Sequence, residues 1–78
     1  MDIKAKIGKR IKELRSKKKY SQEELAGRAG IDRTYVNSVE HGRRNISIVN
    51  IDKIAKALGC SLQEFFTSEI FNNNQKNK

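Results

Sequence analysis

A chain of 78 residues makes one domain, with a single core that buries about two-thirds of the unfolded surface. Its 17 Lys and Arg against 9 Asp and Glu give a formal charge of +8, which points to a polyanionic partner, nucleic acid first and an anionic membrane surface second. No apolar run approaches the roughly 20 residues of a membrane span and the N-terminus lacks the apolar core of a signal peptide, so a cytoplasmic location is expected. The lone cysteine, Cys60, cannot form an internal disulfide and makes no zinc spacing with the lone histidine, His41, so no metal, other cofactor or small-molecule ligand is expected.

In chain order, Ile3, Ile7, Ile11 and Leu14 recur at helical spacing and predict an amphipathic first helix. Its other side carries Lys4, Lys6, Lys9, Arg10, Lys12, Lys17 and Lys18, either as a solvated charged face or as a surface attracted to phosphates. Gly8 lies mid-helix, where it costs about 1 kcal/mol relative to alanine, and a close approach by another helix would account for it.

The following helix starts repeat one local grammar. Ser21 caps the second helix, Glu24 completes a capping box, and Tyr20 can staple to Leu25. Asp32 caps the third with Ile31 facing Val36, and Ser47 caps the fourth with Ile46 facing Ile51. Ser61 caps the fifth, with Cys60 facing Phe65 and Glu64 closing a second box. Gly30, Gly42 and Gly59 each follow a helical segment and can end it. The prediction is an all-α fold, a compact five-helix bundle with no sheet. Within it, Cys60 reads as a small buried hydrophobe and not a reactive thiol.

Near the C-terminus, Leu62, Phe65, Phe66 and Ile70 lie at helical spacing, and Phe71 adds further apolar surface. In the fourth helix Val49 falls off the stripe of Ile51, Ile54, Ala55 and Leu58. Val49, Phe66, Ile70 and Phe71 are therefore expected to build a homodimer interface, unless they simply complete the monomer core. The domain is expected to span residues 1–71, including this dimerisation helix, before a loosely held polar tail over 72–78.

The central stretch divides by periodicity. Leu25, Ala26, Ala29, Val36 and Val39 face inward, and Gly30 supplies the turn between two short helices. That leaves Thr34, Ser38 and His41 outward, flanked by Arg33, Tyr35 and Asn37. A short polar face of donors and acceptors suits a helix entering the major groove: Arg33 can grip guanine and Asn37 can pair with adenine. Thr34 or Tyr35 can touch a thymine methyl or stack at a deformable step.

The span SQEELAGRAGIDRTYVNSVEHG is similar to the helix-turn-helix of the Cro and C1 repressor class. DRTYVNSVE followed by RRNIS resembles, more narrowly, the controller proteins of type II restriction-modification systems, and the likeness runs from Ile7 to Phe66. It implies a lambda-repressor-like domain that binds double-stranded DNA as a homodimer on a near-palindromic operator. Two recognition helices would enter successive major grooves about 34 Å apart. The controlled genes would be its own and that of a linked restriction endonuclease.

By the same resemblance Gln22 contacts backbone phosphate, and Arg33, Thr34 and Tyr35 read or distort the bases. Arg44 and Asn45, with Arg43 beside them, form a loop that grips backbone next to the groove. Arg15 and Glu40 form an ion pair tying the first helix to the third. The chain departs from the controller pattern at Asn37, where a serine is usual, and at His41, often an arginine.

Catalysis finds little support, because the acids are scattered and Ser38, one turn from His41, has no oxyanion device beside it. The alternative within the same fold is an antitoxin that binds a partner toxin and regulates its own operon. That role would need a segment to wrap the partner, and only the short tail after Phe71 is available for it.

Overall fold

In the computed structural model, which describes residues 1–72, each helix begins where a short polar side chain takes up a free backbone N–H. Asp2 accepts from the Ala5 amide at 2.9 Å and opens α1 (Ile3–Lys18), a cap not anticipated from sequence. Ser21 accepts from Glu24 at 3.0 Å to open α2 (Gln22–Ala29), and Asp32 from Thr34 at 2.9 Å to open α3 (Arg33–Glu40). Ser47 opens α4 (Ile48–Ala57) and Ser61 opens α5 (Leu62–Phe66) in the same way. The five helices and a closing 3-10 turn, Glu69–Phe71, include no strand among the described residues.

Of the two expected capping boxes, only one closes. Glu64 Oε1 accepts from the Ser61 amide at 2.8 Å, completing the box on α5. Glu24 instead takes Arg28 Nε at 2.7 Å, because a cation one turn along the exposed face competes better than a neutral amide. Gly30, Gly42 and Gly59 all hold positive φ behind their helices. Lys19 does so as well, at φ 61°, ending α1 with a lysine at the negative pole of the helix dipole.

The core gathers Ile7 and Ile11 of α1, Leu25, Ala26 and Ala29 of α2, Val36 and Val39 of α3, and Ile51, Ile54 and Ala55 of α4, with Leu58 and Phe65. Phe65 is the largest side chain wholly buried. Tyr20, Ile31, Ile46 and Cys60 sit half-buried against this cluster, at the positions where hydrophobic staples were expected. Burial pushes the Cys60 thiol above its ordinary pKa, with Glu64 adding to the effect, so the thiolate is disfavoured. Ile3 departs from its predicted stripe and is 62% exposed, since the core ends a turn short of it.

Gly8 has its neighbouring helix. A Cβ at that position would lie 2.7 Å from the Glu40 carbonyl oxygen and collide also with that of Val39, so α1 and α3 cross backbone against backbone.

Arg10 overturns the expectation that it belongs to the solvated basic face, for it is only 8% exposed. Its guanidinium donates to the carbonyls of Phe65 at 2.7 Å, Glu64 at 2.8 Å and Thr67 at 3.3 Å, and pairs with Glu13 at 2.7 Å. The last carbonyls of a helix lack partners within it. In a helix as short as α5 these carbonyls make up most of the backbone, and the buried cation takes two of them, those of Glu64 and Phe65, together with that of the capping Thr67.

The terminal apolar segment also differs from prediction. The helix expected to run on through Ile70 stops at Thr67, whose hydroxyl donates to the Gln63 carbonyl at 2.7 Å. Ile70 and Phe71 belong to the separate 3-10 turn. Phe71 folds back so that its ring lies 5.1 Å from Phe66 and 6.4 Å from Phe65. Of the expected polar tail, Asn72 is exposed, and residues 73–78 lie outside the described residues.

Candidate nucleic-acid interface

The turn between α2 and α3 is built on Gly30, whose φ of 71° lets the Ile31 amide reach back to the Ala26 carbonyl at 3.0 Å. Asp32 then restarts the helix, and Val36 and Val39 lock α3 into the core. Arg33 and Thr34 are left exposed in its first turn, with Tyr35, Asn37 and Ser38 half-buried beside them. His41, exposed at the C-terminal end, sets its Nδ1 2.8 Å from the Asn37 carbonyl, so the imidazole is engaged with the helix end and not with the Ser38 hydroxyl.

Beneath this face runs a polar network. Arg15 donates from Nε to Glu40 Oε2 at 2.7 Å and from its terminal nitrogen to Oε1 at 2.9 Å, a two-pronged pair, and donates once more to the Tyr20 carbonyl at 2.9 Å. The hydrogen bonds to Glu40 hold the Arg15 guanidinium above its ordinary pKa, against the opposing effect of burial. Gln22 Nε2 donates to the same Glu40 Oε1 at 3.0 Å, and Asn37 Nδ2 donates to Gln22 Oε1 at 3.0 Å. The expected pairing of Arg15 and Glu40 is present as geometry. The engagement of Gln22 and Asn37 with it was not foreseen, since nothing local in sequence links two amides and an ion pair drawn from three helices.

An open recess of about 390 Å³ at the start of α2 is lined by Arg15, Ser21, Gln22, Glu23 and Arg33. Arg33 and the α2 N-terminus favour an oxyanion there, while Glu23 opposes one and the charge of Arg15 is already matched by Glu40. On the far side of α3, the exposed loop of Arg43, Arg44 and Asn45 follows Gly42. The Arg44 guanidinium lies 4.9 Å from the Tyr35 ring centroid, and the Tyr35 hydroxyl accepts from Asn50 Nδ2 at 3.1 Å. Tyr35 thus has two attachments, to the core cluster through its ring and to α4 through its hydroxyl. Asn50 is a contributor that sequence reasoning missed, because its spacing marks it only as one more polar position near the start of α4.

The four residues expected at a dimer interface fall into two pairs. Val49 is 60% and Phe66 37% exposed, while Ile70 and Phe71 are half-buried, with Phe71 packed against the core. Ile48, absent from that expectation, is 65% exposed next to Val49. Phe66 also borders an apolar groove of about 350 Å³ between Ile3, Ile7, Ile46 and Ile51, which Lys4 and Asn45 help to line.

The helix-turn-helix family matches residues 11–65. The control protein C.MunI of a Mycoplasma species is 46% identical over 67 residues, covering 85% of this chain and 90% of the relative. The crystal structure of the restriction-modification controller protein C.AhdI from Aeromonas hydrophila superposes with a TM-score of 0.78 at 51% identity, over 81% of this chain and 96% of that one. The chain belongs to the restriction-modification controller proteins of the helix-turn-helix family. Another controller, C.Esp1396I, has been solved as a tetramer in complex with its natural 35-base-pair operator. It matches with a TM-score of 0.80 at 35% identity, over 85% of this controller and 87% of that chain. The family is one of DNA-binding transcription regulators, and no helix among the controller's described residues is long and apolar enough to cross a membrane.

Proposed function

We propose that this controller binds operator DNA as a homodimer in the cytoplasm and regulates its own gene together with a linked restriction endonuclease gene. The exposed first turn of α3 carries the reading: Arg33 and Thr34 stand exposed on a helix otherwise anchored by Val36 and Val39, with the recess at the start of α2 on one side and Arg44 on the other. In this assignment residues 1–71 form the DNA-binding and dimerising domain. Arg33, Thr34, Tyr35, Asn37 and Ser38 face base edges, while Gln22, Arg43, Arg44 and Asn45 hold phosphates. Val49 and Phe66 lead the dimer contact, supported by Ile70 and Phe71 and extended by Ile48. The likeness to C.Esp1396I, solved on its operator, supports this division, and no observation favours the antitoxin alternative.

Selection of bound duplexes from a random pool tests the proposal. An inverted repeat is the expected product, whereas the absence of any enriched sequence would overturn it. On the selected operator, Arg33→Ala is expected to cost roughly 1–3 kcal/mol and to relax preference at one base pair. Arg44→Ala should weaken all sequences alike and flatten the dependence of affinity on salt. Titrations against operator variants at several salt concentrations separate the two behaviours, and identical profiles would refute the division into base and phosphate contacts.

A further inference from the structure

The Glu40 side chain is 3% exposed and fully engaged, with Oε2 on Arg15 and Oε1 shared between Arg15 and Gln22. A carboxylate only accepts hydrogen bonds, so the group that Gln22 turns toward it has to be its NH₂. The Gln22 carbonyl is thereby turned toward Asn37, and from Asn37 it can accept only a donor, the Nδ2 hydrogen found at 3.0 Å. A glutamine and an asparagine alone could reverse both amides together and keep one hydrogen bond between them. The charge on Glu40 excludes the reversed state, because it would set the Gln22 carbonyl oxygen against a carboxylate.

With one N–H spent on Gln22, the Asn37 carboxamide retains one N–H and its carbonyl oxygen. Asn37 lies one helical turn after Arg33 and one before His41, both exposed, so it shares their side of α3. A donor beside an acceptor complements N7 and the 6-amino group of adenine, whereas the reversed amide would offer two N–H donors, the pattern that guanine's N7 and O6 accept. We propose that Glu40, acting through Gln22, is a positioning group that sets the Asn37 carboxamide to read adenine and reject guanine, an inference that rests on the operator-binding function proposed above.

The test begins from the selected operator and uses the full chain. Asn37→Ser identifies the base pair that Asn37 reads, as the position whose preference it changes. Affinities are then measured at one salt concentration for adenine and for guanine at that position, with wild type, Gln22→Ala, Asn37→Ser and the double variant. Gln22→Ala cuts the relay while leaving Arg15 paired with Glu40, so the fold does not depend on it. Wild type is expected to favour adenine on the order of tenfold, and Gln22→Ala to reduce that ratio to about threefold or less, beyond any uniform loss from a phosphate contact. In the Asn37→Ser background, Gln22→Ala should leave the ratio unchanged. A uniform loss on both bases with the adenine preference intact would overturn the relay and leave operator binding standing, as would a wild-type preference for guanine. Failure of wild type to enrich any sequence would remove both.

Discussion

Replacing Glu40 with alanine is expected to destabilise the fold by about 3 kcal/mol, the scale for breaking a buried ion pair from one side. The acid is nearly inaccessible and its partner Arg15 is 15% exposed, so the guanidinium left behind has little water to replace the lost charge. Arg15 would keep its bond to the Tyr20 carbonyl, which satisfies one N–H but not the charge. For a domain of this size each kcal/mol moves the melting midpoint by about 4–8 °C, so a fall of more than about 10 °C is expected by circular dichroism. A drop below about 4 °C would mean that solvent screens the pair. Glu40→Gln keeps the shape and some of the hydrogen bonds, and should fall between wild type and alanine.

Gly8→Ala is the second large effect, and it sets two principles against each other. Helix propensity favours alanine by about 1 kcal/mol. Packing opposes it, because the new methyl would meet two backbone oxygens of α3 that no rotamer change can move aside. Forced separation of α1 and α3 should dominate, for a net loss of about 2 kcal/mol in denaturant titration. Gly27 provides the contrast within the same molecule: it lies in α2, where an added methyl would meet nothing within 4 Å, so Gly27→Ala is expected to stabilise. If both substitutions moved stability in the same direction, the backbone crossing at Gly8 would not be the reason for its glycine.

Much of the fold was legible because its signals are local. Ser21, Asp32, Ser47 and Ser61 each cap a backbone group within three residues, and the glycine stops lie beside the helices they end. The failures share the opposite character. Arg10 meets the Phe65 carbonyl across 55 positions of sequence, and its charge alone made it look like one more solvated cation. Ile3 matched the apolar period of α1 but overran the core, since periodicity states which face a residue occupies and not how far the neighbouring elements extend. The break at Thr67 gave no proline or glycine to announce it. In the candidate site, the outward position of Arg33 and Thr34 followed from the inward pair Val36 and Val39. The Gln22 to Asn37 bond and the Asn50 support of Tyr35 depend on how three helices meet, which spacing along any one of them does not encode.

Within eight residues, α1 holds both ends of the proposed machine. Gly8 presses against the close of α3, Arg15 grips Glu40 at the same end, and Arg10 clasps the last carbonyls of α5. In the proposed dimer, α3 reads the half-site and the apolar residues of α4 and α5 meet the partner, so the first helix ties the reading helix to one side of that seam. The separation of the two reading heads is then a built-in length of the protein. An operator with one base pair inserted between its half-sites finds no slack on the protein side, and the whole mismatch has to be taken up by bending or twisting the DNA.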